Sequence, residues 1–319
     1  MSLLPDLFRP FWPAGINNVR IKTHRMSDWI SQNDLEFHNP IVNPDNFSGH
    51  NFSGGFLPCL AFEIDRWACA SIESFAANPS RRASKKSLAW DIVRCYYASY
   101  YAAHAIVRMC GDVIVHIDHE NTRTLQRLAQ ISFPTSIRPS TGYYVVRYRS
   151  QQQELQFSRN TVQNLGSHHF LWRMFRERLQ QILASPTATA TGYQSAILSI
   201  TNLVEVLSRD GNLVGQWLSN MRNDVNYKLS HGVWYPYEGS ISNKHYESIM
   251  TQLSTECIST TGITLTRRTD PLIDFAPAVR FIIGLMHELL LDMRERCTMG
   301  ASFLSHGAMR LLKKLNNAA

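Results

Sequence analysis

From Leu57 onward, apolar positions recur mostly with the 3.6-residue period of helices. The strongest segment is SLAWDIVRCYYASYYAAHAIVRMCG, residues 87–111, with Ser87 suited to an N-cap and Gly111 to a C-terminal stop. Leu88, Ile92, Cys95, Tyr96, Ser99, Ala103, Ile106, Val107 and Cys110 form one stripe along it. Tyr97, Ala98, Tyr101, Ala102, Ala105 and Met109 form a second, which predicts a helix contacted on two sides. Further helices are predicted over 23–33, 57–78, 121–131, 167–184, 192–209, 213–230, 243–254, 271–296 and 301–315. Period-two alternation is clear only over 143–149 and 153–158, flanking Ser150-Gln151-Gln152, and predicts a β-hairpin. Ser185–Thr191, SPTATAT, has the composition of a flexible linker.

Residues 1–56 break the pattern, being rich in Pro, Gly, Asn and Phe. Their aromatics, among them Phe8, Phe11, Trp12, Trp29, Phe37, Phe47, Phe52 and Phe56, favour an arm packed on the body or on a partner. The expected fold class is therefore mainly α. A helical domain over 57–319 carries one inserted hairpin at about 143–158 and a C-terminal helical extension, behind an irregular arm over 1–56.

Composition narrows the setting. With 44% apolar and 18% charged residues, the 319-residue chain has the make-up of a folded protein. Its net charge of +7 favours an anionic partner, of which nucleic acid is the commonest. Small basic clusters stand at Arg81–Lys86, Arg147/Arg149, Arg173/Arg176/Arg178 and Arg267-Arg268, each also readable as solvated surface. The six cysteines show no CxxC or zinc-finger spacing and read as reduced core residues of a cytoplasmic protein. No signal peptide or membrane span is predicted; the most apolar late stretch, 281–291, is too short and holds His287 and Glu288.

The chemistry concentrates in WLSNMRNDVNYKLSHGVWYP, residues 217–236. Arg222, Asn223, Asn226, Tyr227, Lys228 and His231 crowd into ten positions there. An arginine offers a rigid fork of donors to phosphate, and a histidine moves protons near neutral pH. On a regular helix Arg222 and Asn226 share a face, Tyr227 lies about 140° round from Arg222, and His231 roughly opposite. The blander reading is an Arg–Tyr helix contact with His231 complementing the helix dipole.

Tyr96, Tyr97, Tyr100 and Tyr101 with His104 suit base stacking, but at this spacing they more often fill a core. His116, Asp118 and His119 have metal-ligand types, yet no second cluster completes a site, and Asp118 serves equally as an N-cap. No metal or cofactor is expected. His168-His169 open a helix carrying Arg173, Arg176 and Arg178, which suits phosphate or a surface with Arg–Glu177 pairing. The absence of GxxxxGK[ST], GxGxxG and GxSxG removes support for nucleotide hydrolysis, dinucleotide binding and serine-hydrolase chemistry.

Two of these segments together resemble the HEPN superfamily (higher eukaryotes and prokaryotes nucleotide-binding). AWDIVRCYYASYYAAHAIVRMCG is similar to its tyrosine- and alanine-rich early helix, and MRNDVNYKLSHG to its late helix with an Arg, a polar neighbour and a following His. The match covers about residues 57–230. Where the family spacing places a His, this chain has Tyr227, and its first His is His231. The resemblance implies a helical bundle and a metal-independent endoribonuclease of a bacterial toxin–antitoxin or anti-phage defence system. A catalytically silent RNA-binding or scaffold subunit of a defence complex is the alternative.

In the ribonuclease reading a base takes the ribose 2′-hydroxyl proton and Arg222 stabilises the charge building on phosphate, leaving a 2′,3′-cyclic phosphate. His231 is then the expected proton carrier, Tyr227 positions the 2′-hydroxyl, and Asn223 orients the base or phosphate. Asn226, Lys228, Arg173, Arg176 and Arg178 are expected to contact RNA. Because Arg222 and His231 lie on opposite sides of one helix, the reading calls for a homodimer with a shared cleft, besides an antitoxin or other partner protein.

Overall fold

Helix and strand signals resolve into a mixed architecture. The computed structural model describes residues 3–32, 35–51, 54–76, 88–162, 166–234, 249, 259–266 and 270–318. Along the chain run α1 (Leu4–Phe8), α2 (Met26–Ser31), β1 (Leu35–Glu36), β2 (Asn46–Asn51), α3 (Phe56–Ala76), α4 (Leu88–Met109) and β3 (Asp112–Ile117). There follow α5 (His119–Ser132), β4 (Gly142–Arg149), β5 (Glu154–Arg159), α6 (Ser167–Leu183), α7 (Pro186–Thr189) and α8 (Gln194–Leu207). The chain continues with α9 (Trp217–Tyr227), α10 (Pro271–Glu295) and α11 (Ala308–Ala318). The helix expected over 243–254, apart from Ile249, lies outside the described residues, as do Ser87, Phe52, Cys257 and the Arg81–Lys86 and Arg267-Arg268 clusters.

The mainly-α expectation with a single hairpin is corrected. The hairpin β4–β5 is the middle of a five-stranded antiparallel sheet of order β1-β2-β5-β4-β3. Its buried face is continuous across strands: Phe47 pairs with Phe157, which pairs with Val146, which pairs with Val113. Phe47 stacks flat on Phe157 with centroids 4.7 Å apart, and Phe56 tilts over Tyr148 at 4.8 Å. Cross-strand aromatic and β-branched pairs of this kind set the register.

β3 hid within VIVHIDHEN, where the His and Asp residues invited a metal reading. In the fold that trio is dispersed. His116 packs on Tyr143 at 5.0 Å, while Asp118 caps α5 by accepting from Asn121 N–H at 2.9 Å. β2, NFSGHN, has only one strong strand former, so its pairing is set by its neighbour β5 and not by propensity.

The irregular arm is corrected with it. Residues 1–56 supply β1 and β2 and bury Leu7, Phe8, Trp29, Ile30 and Phe37 in the common core. Arg9 forks onto Asp292 of α10 with two bonds of 2.7 Å, and Asn18 accepts from Thr298 N–H at 3.0 Å. The SPTATAT stretch holds the short helix α7.

α4 is the centre of the helical part, packed by α3, α6, α9 and α10 and reaching β3. Gly111 ends its run in the left-handed region, at φ 82°, and donates to Arg108 C=O at 2.9 Å. Burial of all but the stripe of Trp90, Arg94, Tyr97 and Tyr101 leaves its other polar side chains dependent on protein partners. Arg108 donates through Nε to Glu63 Oε2 at 3.1 Å, through Nη1 toward His104 Nδ1 at 2.8 Å and through Nη2 to Ile114 C=O at 3.0 Å. Burial alone would raise the Glu63 carboxyl; Arg108 and Arg66, with the Trp67 indole, more than offset it and hold it below the usual carboxylate range.

Glu63→Ala strands the Arg108 cation in the core and is expected to cost about 3–5 kcal/mol of unfolding free energy in urea titrations. A loss below about 1 kcal/mol would show that Arg108 finds equivalent partners. Because the folded-state carboxyl titrates below its unfolded value, the pair's contribution is present at neutral pH and fades as pH falls below about 4.3.

Candidate functional site

Four arginines are buried among the described residues, and three have a carboxylate. Arg108 pairs with Glu63 at 3.1 Å, Arg178 with Asp112 at 2.5 Å and Arg209 with Asp274 at 2.5 Å. The fourth, Arg222 on α9, forms no ion pair with a described carboxylate, and its buried Nε has no hydrogen-bond partner there. Instead it is ringed by tyrosines. Its Cζ lies 5.3 Å from the Tyr96 ring centroid, 5.8 Å from Tyr97 and 5.7 Å from Tyr227. Nη1 donates to the Tyr227 hydroxyl at 3.3 Å. Arg222 is 7% exposed while Tyr227, on the same helix, is 70% exposed and stands at the solvent side of the guanidinium.

The tyrosines lead to a histidine that the motif on α9 lacks. His168, in the first turn of α6, places Nδ1 2.8 Å from the Tyr96 hydroxyl, and the Trp172 indole donates to the same oxygen at 3.1 Å. The His168 ring lies 5.9 Å from Tyr97 and 4.4 Å from Tyr100. Tyr96 and Tyr97 therefore touch both Arg222 and His168. Burial, then the Arg222 charge, then His169 push the His168 imidazole down to about 4, so it is neutral at pH 7. Burial raises the Tyr96 phenol, which stays protonated.

One register of α4 builds the floor. Tyr96, Tyr100, His104 and Arg108 follow at four-residue intervals, which lines them along one helix face. Tyr100 meets His104 edge-on at 4.7 Å, and His104 stacks on Trp67 at 4.2 Å. Burial, with Arg108 beside it, keeps His104 neutral. The Glu63–Arg108 pair anchors the far end of this row.

The structure thus joins three groups that the sequence presented separately: the tyrosines of α4, His168 and Arg222 with Tyr227. Other expected site residues fall elsewhere. α9 ends at Tyr227, and the chain turns through left-handed Leu229 and His231, at φ 52° and 69°. His231 has no described contact with Arg222, and its buried Nε2 has no partner among the described residues. Asn223 and Asn226 are half-buried on α9, and Lys228 pairs with Asp224 at 2.7 Å. On α6, Arg173 bonds Asn160 at 3.4 Å and faces Glu177 at 3.7 Å, and Arg176 bonds Ser208 at 2.8 Å. Arg178 is committed to Asp112, its guanidinium over Phe11 at 5.3 Å.

Among the described residues no group of three or more His, Cys, Asp or Glu is placed to hold a metal, and no helix is long and apolar enough to cross a membrane. No family model, curated protein or solved structure matches this chain.

The coupling between Arg222 and His168 is directly measurable. In a titration followed by NMR of the imidazole C–H signals, His168 is expected to protonate near pH 4, and Arg222→Gln to move that midpoint toward 6.5. An unfolded chain takes this proton near 6.5, so the neutral His168 contributes stability above that pH, and the contribution is lost as pH falls from about 6.5 toward 4. An unmoved midpoint in Arg222→Gln would place the two groups out of electrostatic contact.

Proposed function

We propose that this protein is a HEPN-type, metal-independent endoribonuclease in which Arg222 receives a phosphodiester of RNA. The observation that carries the reading is the buried Arg222 cation, which alone among the buried arginines described pairs with no carboxylate of the described residues. A cation desolvated in this way gains most from an anion that brings its own oxygens to the guanidinium fork. The surrounding tyrosine faces suit nucleobases as well as the cation itself. A protein of +7 net charge also attracts polyanions. A bacterial toxin or anti-phage defence setting, a homodimer and a partner antitoxin or defence subunit belong to this reading through the family resemblance.

One observation favours a second reading, a catalytically silent RNA-binding or scaffold subunit. Tyr227 occupies the position of the motif histidine, and it bonds Arg222 directly. The two readings part on turnover. Purified protein in excess chelator is expected to cut single-stranded RNA, leaving 2′,3′-cyclic phosphate and 5′-hydroxyl ends, and Arg222→Ala is expected to lower cleavage at least about 100-fold while the fold survives. RNA binding without cleavage by the wild type would leave the silent reading standing. The absence of both would remove RNA altogether.

A homodimer is expected in light scattering at tens of micromolar protein. Cleavage carried out by a strict monomer, with rate linear in protein concentration, would refute a cleft that pairs Arg222 of one protomer with His231 of the other.

A further inference from the structure

The sequence motif offers His231 as the proton carrier, but the fold sets a different imidazole against the tyrosines around Arg222. We propose that His168 is the proton-transfer residue of the Arg222 site, so that one chain supplies both the phosphate-binding cation and the base. This rests on the ribonuclease reading above and goes beyond it by naming a residue from another helix, outside the motif.

The first argument is placement. Arg222 from α9 and His168 from α6 lie against the same two rings of α4, Tyr96 and Tyr97. The second is hydrogen-bond accounting around Tyr96. Its oxygen already accepts from the Trp172 indole at 3.1 Å and lies 2.8 Å from His168 Nδ1. Ser219, buried one turn before Arg222, lies beside Tyr96, and its hydroxyl has no other partner among the described residues. The Arg222 fork also reaches the Tyr96 hydroxyl. If Tyr96 donates its one proton to Ser219, the Ser219 oxygen gains its partner, while the Arg222 Nε stays open toward a ligand. His168 must then donate from Nδ1–H to the Tyr96 oxygen. That tautomer leaves a lone pair on Nε2, the nitrogen that has no described hydrogen-bond partner.

The step balances without a cofactor. Nε2 takes the 2′-hydroxyl proton as the 2′ oxygen forms its bond to phosphorus. The bond from phosphorus to the 5′ oxygen breaks, and that oxygen takes a proton from water. The imidazolium then returns its proton to solvent, while Arg222 carries the charge on the non-bridging oxygens throughout.

The groups facing His168 set its pH behaviour. They are His169 on its own helix, Tyr96, Tyr97, Tyr100 and, further along, His104 on α4, and Arg222 on α9. With burial and Arg222 both lowering its basicity, the free enzyme has His168 neutral down to about pH 4. A bound phosphate offsets the Arg222 charge and raises the proton affinity of His168 just where a base is needed.

The test uses full-length protein and a short single-stranded RNA, beside the same RNA with 2′-O-methyl groups as an uncleavable binding probe. His168→Asn keeps a polar atom for Tyr96 but carries no titrating nitrogen. It is expected to lower kcat at least about 100-fold with binding of the methylated probe within about threefold of wild type. His168→Ala is expected to recover cleavage on addition of imidazole, which a purely structural role would not allow. The acid limb of wild-type kcat/KM is expected near pH 4, and to stay there in His231→Ala.

Wild-type cleavage that survives in His168→Asn overturns the proposal and leaves the ribonuclease reading intact. An acid limb near 6–7 that disappears in His231→Ala does the same and returns the chemistry to His231. Binding of the methylated probe with no cleavage of RNA by the wild type overturns catalysis as a whole.

Discussion

A helix packed by other helices and a strand must find protein partners for each polar group it buries, and α4 buries several. Its row of Tyr96, Tyr100, His104 and Arg108 points into packed protein and is held at one end by the Glu63 carboxylate. The pair supplies the opposite charge that makes Arg108 tolerable there. From that anchor the row runs through neutral groups to Arg222 at the other end, where no described carboxylate waits. One end of the row is electrically closed and the other is open. The candidate site follows from that asymmetry.

The open end also shows how aromatic packing can hold a charge without cancelling it. Three tyrosine faces stabilise the Arg222 guanidinium by their quadrupoles and leave its fork of donors incompletely used. Burial, and then the same cation, keep the neighbouring imidazole neutral. A carboxylate in the same place would strengthen the fold and remove the attraction for an outside anion. Arg178, close by in sequence to His168, illustrates the other outcome: its charge is spent on Asp112, which Arg147 also reaches at 3.1 Å.

The sheet and the N-terminal residues frame this helical part. Asp112, the first residue of β3, ties the sheet to α6 through Arg178, and Arg9 ties the first turns of the chain to α10. Strand pairing across β2, β5, β4 and β3 brings segments more than a hundred residues apart into one layer. Interactions of such sequence separation leave little trace in local composition.

What the sequence determined by itself was local. The period of α4 with its glycine stop, the alternation of β4 and β5 and the Asp118 cap are each set by residues within one or two turns of one another. Arg222 stood out because its neighbours on α9 are polar. The tertiary structure decided the rest. β1 and β2 are too short and too polar to announce themselves and exist because β5 offers an edge. His168 gave no sign of a bond to a tyrosine seventy-two positions earlier, and that no carboxylate of the described residues reaches Arg222 depended on how the fold brings the helices together. The four-residue spacing of Tyr96, Tyr100, His104 and Arg108 was visible as a row. Whether that row met water, lipid-like core or a partner arginine is a property of long-range packing, which no local pattern encodes.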